Sequence, residues 1–428
     1  MKTKLFSIAL LAVIQNGMQA QQTDANGYTT VEASMGAAYA NRLFFDLSEN
    51  QLTSQPANTW DIAFWRNGAM QLGTRINDAK NILVYQVSTN IASWDSIDVS
   101  NIGNWGIPLY NPDQTTDLNR GALETSTINT ACSGAFNTGW GCYNIATHEV
   151  EGKVIFVLKY SDQLYYKLFI EKYYRGYTFK YAKYDGTAWG ETITKTVANG
   201  NADQYFNYFS FDNNEEVTNM EPSKNQWDLM FTRYWTFYNN VMMYRMSGVI
   251  QNPRITVAKT SETQETSAVN LPDASAFSST ITTIGHSWKP TSGLIPNVVY
   301  YIKENDQYYR LYFTQNGGAS TGNMYFKYKN ITENLSTSEI DSKINFGLYP
   351  NPAPNKQVTL LYDNKNALDQ KGLIQIYDFS GKKVYETEIS KSAGFYQKEL
   401  HLSHLNAGTY LVTLKIGHRT ETKKLIIK

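Results

Sequence analysis

Two cysteines are the residues whose type and spacing could do the most definite chemistry in this chain. Cys132 and Cys142 stand in the segment ACSGAFNTGWGCYN, and they are the only cysteines present. They lack the close Cys-x-x-Cys spacing and the further cysteines of a structural zinc site. An exported chain meets an oxidising compartment, and the glycines between the thiols allow a tight bend. The sequence therefore predicts a Cys132–Cys142 disulfide, with two free thiols as the alternative.

Motifs for catalysis are missing from the sequence. It contains no Gly-rich phosphate loop, no His-Glu-x-x-His segment and no Gly-x-Ser-x-Gly segment, and HEVE at His148 lacks a second histidine. Carboxylates are plentiful, but a sequence alone does not pair them across strands, so a hydrolase stays open as the catalytic alternative. We predict that the protein is not an enzyme.

The composition indicates strands and flat contact surfaces. Aromatic residues make up 14% of the 428 residues, with 31 Tyr and 19 Phe. Such residues favour half-buried strands and supply amphipathic contact area. The formal net charge of +0 argues against a nucleic-acid partner, which usually requires a basic face.

The first twenty residues differ from the rest. A basic MKTK, an apolar LFSIALLAVI and a small residue at Ala20 predict a secretory signal peptide over residues 1–20, with a short buried helix as the alternative. No later apolar run reaches the roughly 20 residues of a membrane helix. The mature chain is therefore expected to have no transmembrane segment.

The strand motifs that would position any functional site occur twice in the sequence. WDIAFWR begins at Trp60 and WDLMFTR at Trp227, and each is preceded by an aromatic run and followed by closing strands, YTFKY and MYFKY. Alternating runs separated by Gly, Asn and Asp are typical of antiparallel hairpins. This order predicts two copies of one β domain, at 21–192 and 193–330.

The repeated motif has a structural interpretation. In a strand, Ile62 and Phe64 point to one face while Ala63 and Trp65 point to the other. Asp61 is then expected to hold a neighbouring turn. By the same logic the arginine at the end of each motif crosses to another strand, so we assign the motif to stability.

A third pattern follows a polar linker at 331–346. Residues 347–428 alternate as short strands, which predicts a small Ig-like β-sandwich. This segment holds 12 Lys and Arg against 7 Asp and Glu, a balance that suggests a partner of its own.

That C-terminal segment resembles the type A C-terminal sorting domain of the type IX secretion system of Bacteroidetes. The motifs YPNP, DFSGK and LNAGTY stand in the usual order. They supply the sorting residues Tyr349, Pro350, Asn351, Pro352, Asp378, Gly381, Gly408 and Tyr410. The resemblance implies the secretion machinery as partner, export to the outer cell surface or the medium, and release or attachment to a glycolipid.

The two repeats resemble the HmuY-like family of haem-binding proteins through FFDL, WDIAFWR and YTFKY in the first copy and FSF, WDLMFTR, SGVIQN and MYFKY in the second. The resemblance implies two antiparallel β-sandwich domains in tandem. It also implies haem or a related porphyrin as ligand. These motifs are core strands, so they indicate the fold more strongly than the ligand.

The haem-ligand candidates depart from the family pattern, which uses two histidines in one domain. Outside the sorting segment the chain has one histidine per repeat, His148 and His286. Imidazole and thioether groups both ligate haem iron, so Met242 and Met246, on one face of a strand, are candidate partners. Loop histidines and core methionines are the alternative.

These observations predict a secreted or cell-surface, non-catalytic binding protein of all-β fold. Haem or porphyrin is the first ligand class. The alternative is a surface adhesin, or a structural protein that binds carbohydrate or protein through exposed Tyr and Trp.

Overall fold

A computed structural model describes residues 23–66, 72–200, 203–267, 269–290, 293–332, 346–364, 372–389, 394–416 and 419–428. The chain divides into two compact units, Met1–Ile331 (unit 1) and Thr332–Lys428 (unit 2). The predicted signal peptide, residues 1–20, lies outside the described residues, as does most of the predicted linker.

The regular secondary structure of unit 1 consists mainly of strands, which confirms the all-β prediction. Its strands are β1 (Thr29–Ser34), β2 (Asn41–Asp46), β3 (Gln51–Pro56), β4 (Ile62–Trp65), β5 (Thr74–Ile76), β6 (Leu83–Ser88), β7 (Gly141–Asn144), β8 (Glu149–Gly152), β9 (Ile155–Lys159), β10 (Tyr165–Tyr173), β11 (Gly176–Tyr184), β12 (Ile193–Ala198), β13 (Phe206–Ser210), β14 (Glu215–Val217), β15 (Leu229–Tyr238), β16 (Met242–Gln251), β17 (Thr256–Ser261), β18 (Val298–Glu304), β19 (Gln307–Asn316) and β20 (Asn323–Asn330).

The helices described in unit 1 are short. There is one α-helical turn, α1 (Gly318–Thr321), and the 3-10 helices are Ala37–Tyr39, Asp78–Lys80, Ile91–Ser96, Val99–Asn104, Leu123–Thr125, Gly134–Phe136 and Ala274–Ala276.

The strands form four antiparallel sheets. Sheet 1 has the order β12-β11-β10-β8-β7, with β9 joining β10 to β6. Sheet 2 is β14-β13-β4-β5, sheet 3 is β16-β15-β2-β3, and sheet 4 is β1-β20-β19-β18-β17.

The sheets pack on one another in layers, because alternate side chains of a strand point to opposite faces and contact different sheets. In β4, Ile62 and Phe64 enter a core shared with sheet 1, whereas Ala63 and Trp65 enter a core shared with sheet 3. In β2, Phe45 packs toward sheet 4 and Phe44 toward sheet 2. Sheets 2 and 3 are therefore covered on both faces, which explains why every residue of β4 is buried. The predicted alternation of Ile62 and Phe64 against Ala63 and Trp65 is confirmed.

The two sequence repeats are interleaved in this stack. From the first repeat, β2 pairs with β15 and β1 pairs with β20. From the second repeat, β13 pairs with β4 and β12 pairs with β11. Sheets 1 and 2 thus use β4–β14, while sheets 3 and 4 use β1–β3 with β15–β20. The strand pairing does not divide at the predicted boundary, residue 192, because the opening strands of each repeat complete the sandwich of the other.

Unit 2 is a small two-sheet sandwich. Its strands are β21 (Phe346–Tyr349), β22 (Gln357–Asn364), β23 (Gly372–Tyr377), β24 (Lys383–Ile389), β25 (Gly394–His401), β26 (Gly408–Ile416) and β27 (Arg419–Ile427). They form the sheets β21-β22-β25 and β24-β23-β26-β27. Val358, Leu360, Ile374, Val412 and Leu414 are among the residues of the shared core.

Two further observations bear on the sequence predictions. Cys132 and Cys142 are joined by a disulfide, as predicted. Within the described ranges, no helix has both the length and the apolar character needed to cross a bilayer.

Candidate functional site

The repeated Trp-Asp pair joins the interleaved strands. Asp61 Oδ2 accepts the backbone N–H of Phe211 at 2.7 Å, and Asp61 Oδ1 accepts the Tyr160 hydroxyl at 2.8 Å. Lys80 forms an ion pair with Asp61, whose side chain is only 1% exposed. The side chain of Asn77 donates to the carbonyls of Ala57 and Trp60, each at 2.8 Å. This network holds the chain that follows β13 against β4.

The second copy repeats the same bonds. Asp228 Oδ2 accepts the N–H of Leu47 at 2.8 Å, and Asp228 pairs with Arg254. Asn252 donates to the carbonyls of Lys224 and Trp227, each at 2.8 Å. Burial raises the pKa of Asp228 to about 7 against the opposing attraction of Arg254. Both aspartates are therefore structural residues.

The motif arginines also hold other segments. Arg66 donates to the carbonyl of Asn199 at 2.8 Å and to Gln204 at 3.1 Å. Arg233 donates to the carbonyl of Arg245 at 3.1 Å. These contacts agree with the structural interpretation of the motif.

The haem-ligand candidates lie in different surroundings. His148 is exposed in the turn between β7 and β8, where its Nδ1 lies 2.7 Å from the Tyr143 hydroxyl. His286 is half-buried, and its Nδ1 lies 2.8 Å from the Tyr234 hydroxyl. Burial lowers the pKa of His286. Among the described residues, no hydrogen bond or ring contact joins the two histidines.

The methionine candidates separate in the same way. Met246 is 4% exposed in the core between sheets 2 and 3, and it pairs across the strands with Tyr234. Met242 is 57% exposed at the tip of the β15–β16 hairpin. None of the four candidates lines either cavity described below. Haem ligation by these four residues stays a prediction.

One cavity, of about 50 Å³, lies between sheets 2 and 3. Equivalent residues of both repeats, including Trp60 and Trp227, line this cavity. Three arginines, Arg42, Arg75 and Arg233, also line it. The carboxyl groups in the wall are Asp78 and Glu221, and burial raises their pKa values to about 6 and about 7. Arg42 was not predicted from the sequence, because a polar side chain in NRLFFD gives no sign that the strand is buried on both faces.

An open groove of about 470 Å³ lies beside the disulfide. Phe136 and Tyr143 line it, and their ring planes lie within 3° of parallel with centroids 6.2 Å apart. Phe136 is 47% exposed and Ile145 is 70% exposed. The disulfide of this region was predicted from the sequence, but the parallel arrangement of the two rings depends on the folded loop.

Polar groups line the same groove. Asn144 donates to Glu151 Oε1 at 2.8 Å, and Lys153 donates to Glu151 Oε2 at 3.1 Å. The hydrogen bond from Asn144, together with Lys153, lowers the pKa of Glu151, so this carboxylate is ionised at neutral pH. The groove therefore combines aromatic faces with fixed donors and acceptors. No group of three or more His, Cys, Asp or Glu side chains suited to a metal ion occurs in the described part of the chain.

The sorting residues shape turns and edges of unit 2. Asn351 donates to the carbonyl of Lys424 at 2.7 Å and accepts the N–H of Ile426 at 3.0 Å. Asp378 Oδ1 accepts the N–H groups of Ser380 and Lys382. The remaining positions are Tyr349, which is exposed, Pro350 and Pro352, which follow cis peptide bonds, Gly381 at φ 80°, Gly408 at the start of β26, and Tyr410, whose hydroxyl donates to Asn406.

The fold defines an all-β protein with a layered body and a separate small sandwich. Residues 347–428 match the family described as the Secretion system C-terminal sorting domain. This domain marks proteins that the type IX system secretes to the cell surface or the extracellular space, and it implies the secretion machinery as a partner. A comparison with curated proteins found no match.

Proposed function

We propose that this secreted protein is a non-catalytic carbohydrate-binding protein, an adhesin whose binding site is the groove beside the Cys132–Cys142 disulfide. The observation that carries the proposal is the pair of parallel rings, Phe136 and Tyr143, in a groove of about 470 Å³. Aromatic faces are negative, and they attract the positively polarised C–H groups of a sugar ring. Exposed aromatic faces of this kind therefore suit stacking with a saccharide.

The polar wall supports the same ligand class. Sugar hydroxyl groups both donate and accept hydrogen bonds. Glu151 supplies carboxylate oxygens, while Asn144 and Lys153 supply N–H donors that the carboxylate already holds in place. Such a mixture can bind hydroxyl groups at the edge of a sugar stacked on the rings.

The groove is also preorganised. The disulfide fixes one wall, and the Tyr143 hydroxyl is held by His148 at 2.7 Å. Rigid side chains lose less entropy when a ligand binds. His148 thus positions Tyr143, which gives this histidine a role other than iron ligation.

A glycan array tests the proposal. The exported chain should bind a defined set of glycans, and Phe136→Ala and Tyr143→Ala should each reduce binding strongly because each removes half of the stacking surface. Tyr174→Ala is the matched control, since Tyr174 is an exposed aromatic residue, 52% accessible, that does not line the groove. Loss in the control alone, or glycan binding that is unchanged in both groove variants, would reject this site.

Haem binding stays a prediction from the family resemblance. One contact supports it in the second repeat, where Tyr234 touches His286 and pairs with Met246. Haemin titration of the wild type, His148→Ala and His286→Ala, followed at the Soret band, tests it separately. A band that shifts in the wild type and is lost in His286→Ala supports haem, whereas no shift in the wild type removes it.

A further inference from the structure

We propose that the cavity between sheets 2 and 3 binds a small carboxylate anion. This site is separate from the groove beside the disulfide, and the proposal does not depend on carbohydrate binding. It is based on buried N–H donors that line one cavity and have no hydrogen-bond acceptor among the residues that the structure describes.

Three residues of the wall each carry such a donor: Arg42 at Nε, Trp60 at Nε1 and Trp227 at Nε1. Arg42, Trp60 and Trp227 are 5%, 6% and 0% exposed, so bulk water does not satisfy them. A buried donor without a partner is costly, and native proteins rarely leave several together. The cluster therefore fits a ligand that accepts hydrogen bonds.

The charge of the wall favours an anion. Arg42, Arg75 and Arg233 line the cavity with two carboxyl groups, Asp78 and Glu221, and outside the lining Glu124 and Asp113 also attract Arg75. Glu221 is already occupied, since it accepts the N–H of Phe206 at 2.8 Å and the hydroxyl of Tyr208 at 2.9 Å. A bound anion would balance the remaining positive charge.

The guanidinium group of Arg42 is preorganised for such a ligand. Its Nη2 donates to the carbonyl of Met220, which fixes one end of the guanidinium group. The same group lies 4.7 Å from the ring centre of Tyr208 and 5.2 Å from that of Trp60. These contacts fix the orientation of the guanidinium group and leave Nε without an acceptor.

The size and shape of the cavity select the ligand. About 50 Å³ holds a few heavy atoms, which admits an anion such as formate or acetate and excludes a sugar ring or a porphyrin. Trp60, Trp227 and Tyr208 supply flat walls, and Arg pairs well with planar carboxylates. We therefore assign a carboxylate in preference to a tetrahedral oxyanion.

Indole N–H resonances give a direct test on the full exported chain. Trp60→Phe and Trp227→Phe identify the two signals by their disappearance. Titration with sodium acetate should shift both signals and saturate, whereas sodium chloride at the same ionic strength should not. Sodium phosphate is the second anion, and a response to phosphate without a response to acetate would overturn the carboxylate assignment.

Variants complete the test. Arg42→Gln should weaken acetate binding about tenfold or more, because it removes a charge-assisted hydrogen bond. Arg120→Gln is the control, since Arg120 is exposed and does not line the cavity. If Arg42→Gln does not fold, Trp60→Phe keeps an aromatic side chain at this position, removes one donor and should weaken the shift of Trp227. If neither acetate nor phosphate changes the chemical shifts of the two indole N–H signals, water alone fills the cavity and the proposal is refuted.

Discussion

Asp61 in the first repeat accepts the backbone N–H of Phe211 in the second at 2.7 Å, and Asp228 in the second repeat accepts that of Leu47 in the first at 2.8 Å. These reciprocal bonds explain why the chain carries the Trp-Asp motif twice. Each aspartate fixes the opening hairpin of the other repeat to its own sandwich. The motif therefore links the two repeats to each other.

Removing Asp61 should destabilise unit 1. Asp61→Ala leaves the Phe211 N–H without its acceptor and Lys80 without its partner, and breaking a buried ion pair costs about 3 kcal/mol. Denaturant unfolding of the full chain measures this loss. Asp162→Ala is the control, because Asp162 is 86% exposed in its pair with Lys159 and its removal should leave the midpoint unchanged. Equal effects of the two substitutions would contradict the role of Asp61.

The fragments that fold independently should be those whose boundaries agree with the strand pairing and not with the sequence repeat. Residues 57–221 contain every strand of sheets 1 and 2, so this fragment should unfold in one cooperative transition. Residues 21–192 lack β12, β13 and β14 and should not fold alone, although the sequence repeat suggested that they would. Thermal unfolding followed by circular dichroism decides between the two boundaries, and a cooperative 21–192 fragment would favour the repeat boundary.

The disulfide should stabilise unit 1 measurably. Cys132 and Cys142 are separated by 10 residues, and a loop of that length corresponds to about 2.5 kcal/mol. A Cys132→Ser/Cys142→Ser variant should lose roughly this free energy of unfolding. Intact-mass analysis after alkylation without reductant checks the bond itself, and two alkylated thiols in the exported protein would contradict it.

Stability should decrease as the pH rises from about 4 to about 7. Burial raises the pKa values of Asp78, Glu221 and Asp228 to about 6, 7 and 7. Between the unfolded and folded pKa values the folded state binds more protons, so each of these groups lowers stability as the pH increases. Glu221→Gln should therefore flatten the decrease, by at most about 1.4 kcal/mol per pH unit. An unchanged slope in this variant would show that Glu221 does not carry the dependence.

The sorting domain should direct export and have no part in binding. Deletion of residues 347–428, the segment that matches the sorting family, should trap the protein in the periplasm of a host that has the type IX machinery. Cell fractionation measures the location. Surface display of the shortened chain would contradict this role.

The sequence predicted features that depend on local order. The alternation of Ile62 and Phe64 against Ala63 and Trp65 follows from strand geometry, and the structure confirms it. The disulfide followed from the count and spacing of the cysteines. The sorting domain followed from short motifs that specify turns.

The remaining features depend on contacts that are distant in sequence. Nothing local determines that β2 pairs with β15, because similar motifs in the two repeats offer two alternative partners. Arg42 reads as the polar side of a strand, and only the stacking of sheets 2 and 3 buries it. Phe136 and Tyr143 become parallel only after the disulfide loop folds.

Hydrogen–deuterium exchange with a glycan selected from the array tests the binding groove most directly. The full chain with bound glycan should show slower amide exchange in residues 131–153, the segment that contains Phe136, Tyr143 and Glu151. The Phe136→Ala variant should lose this protection. Protection elsewhere in unit 1, with unchanged exchange in residues 131–153, would contradict the account.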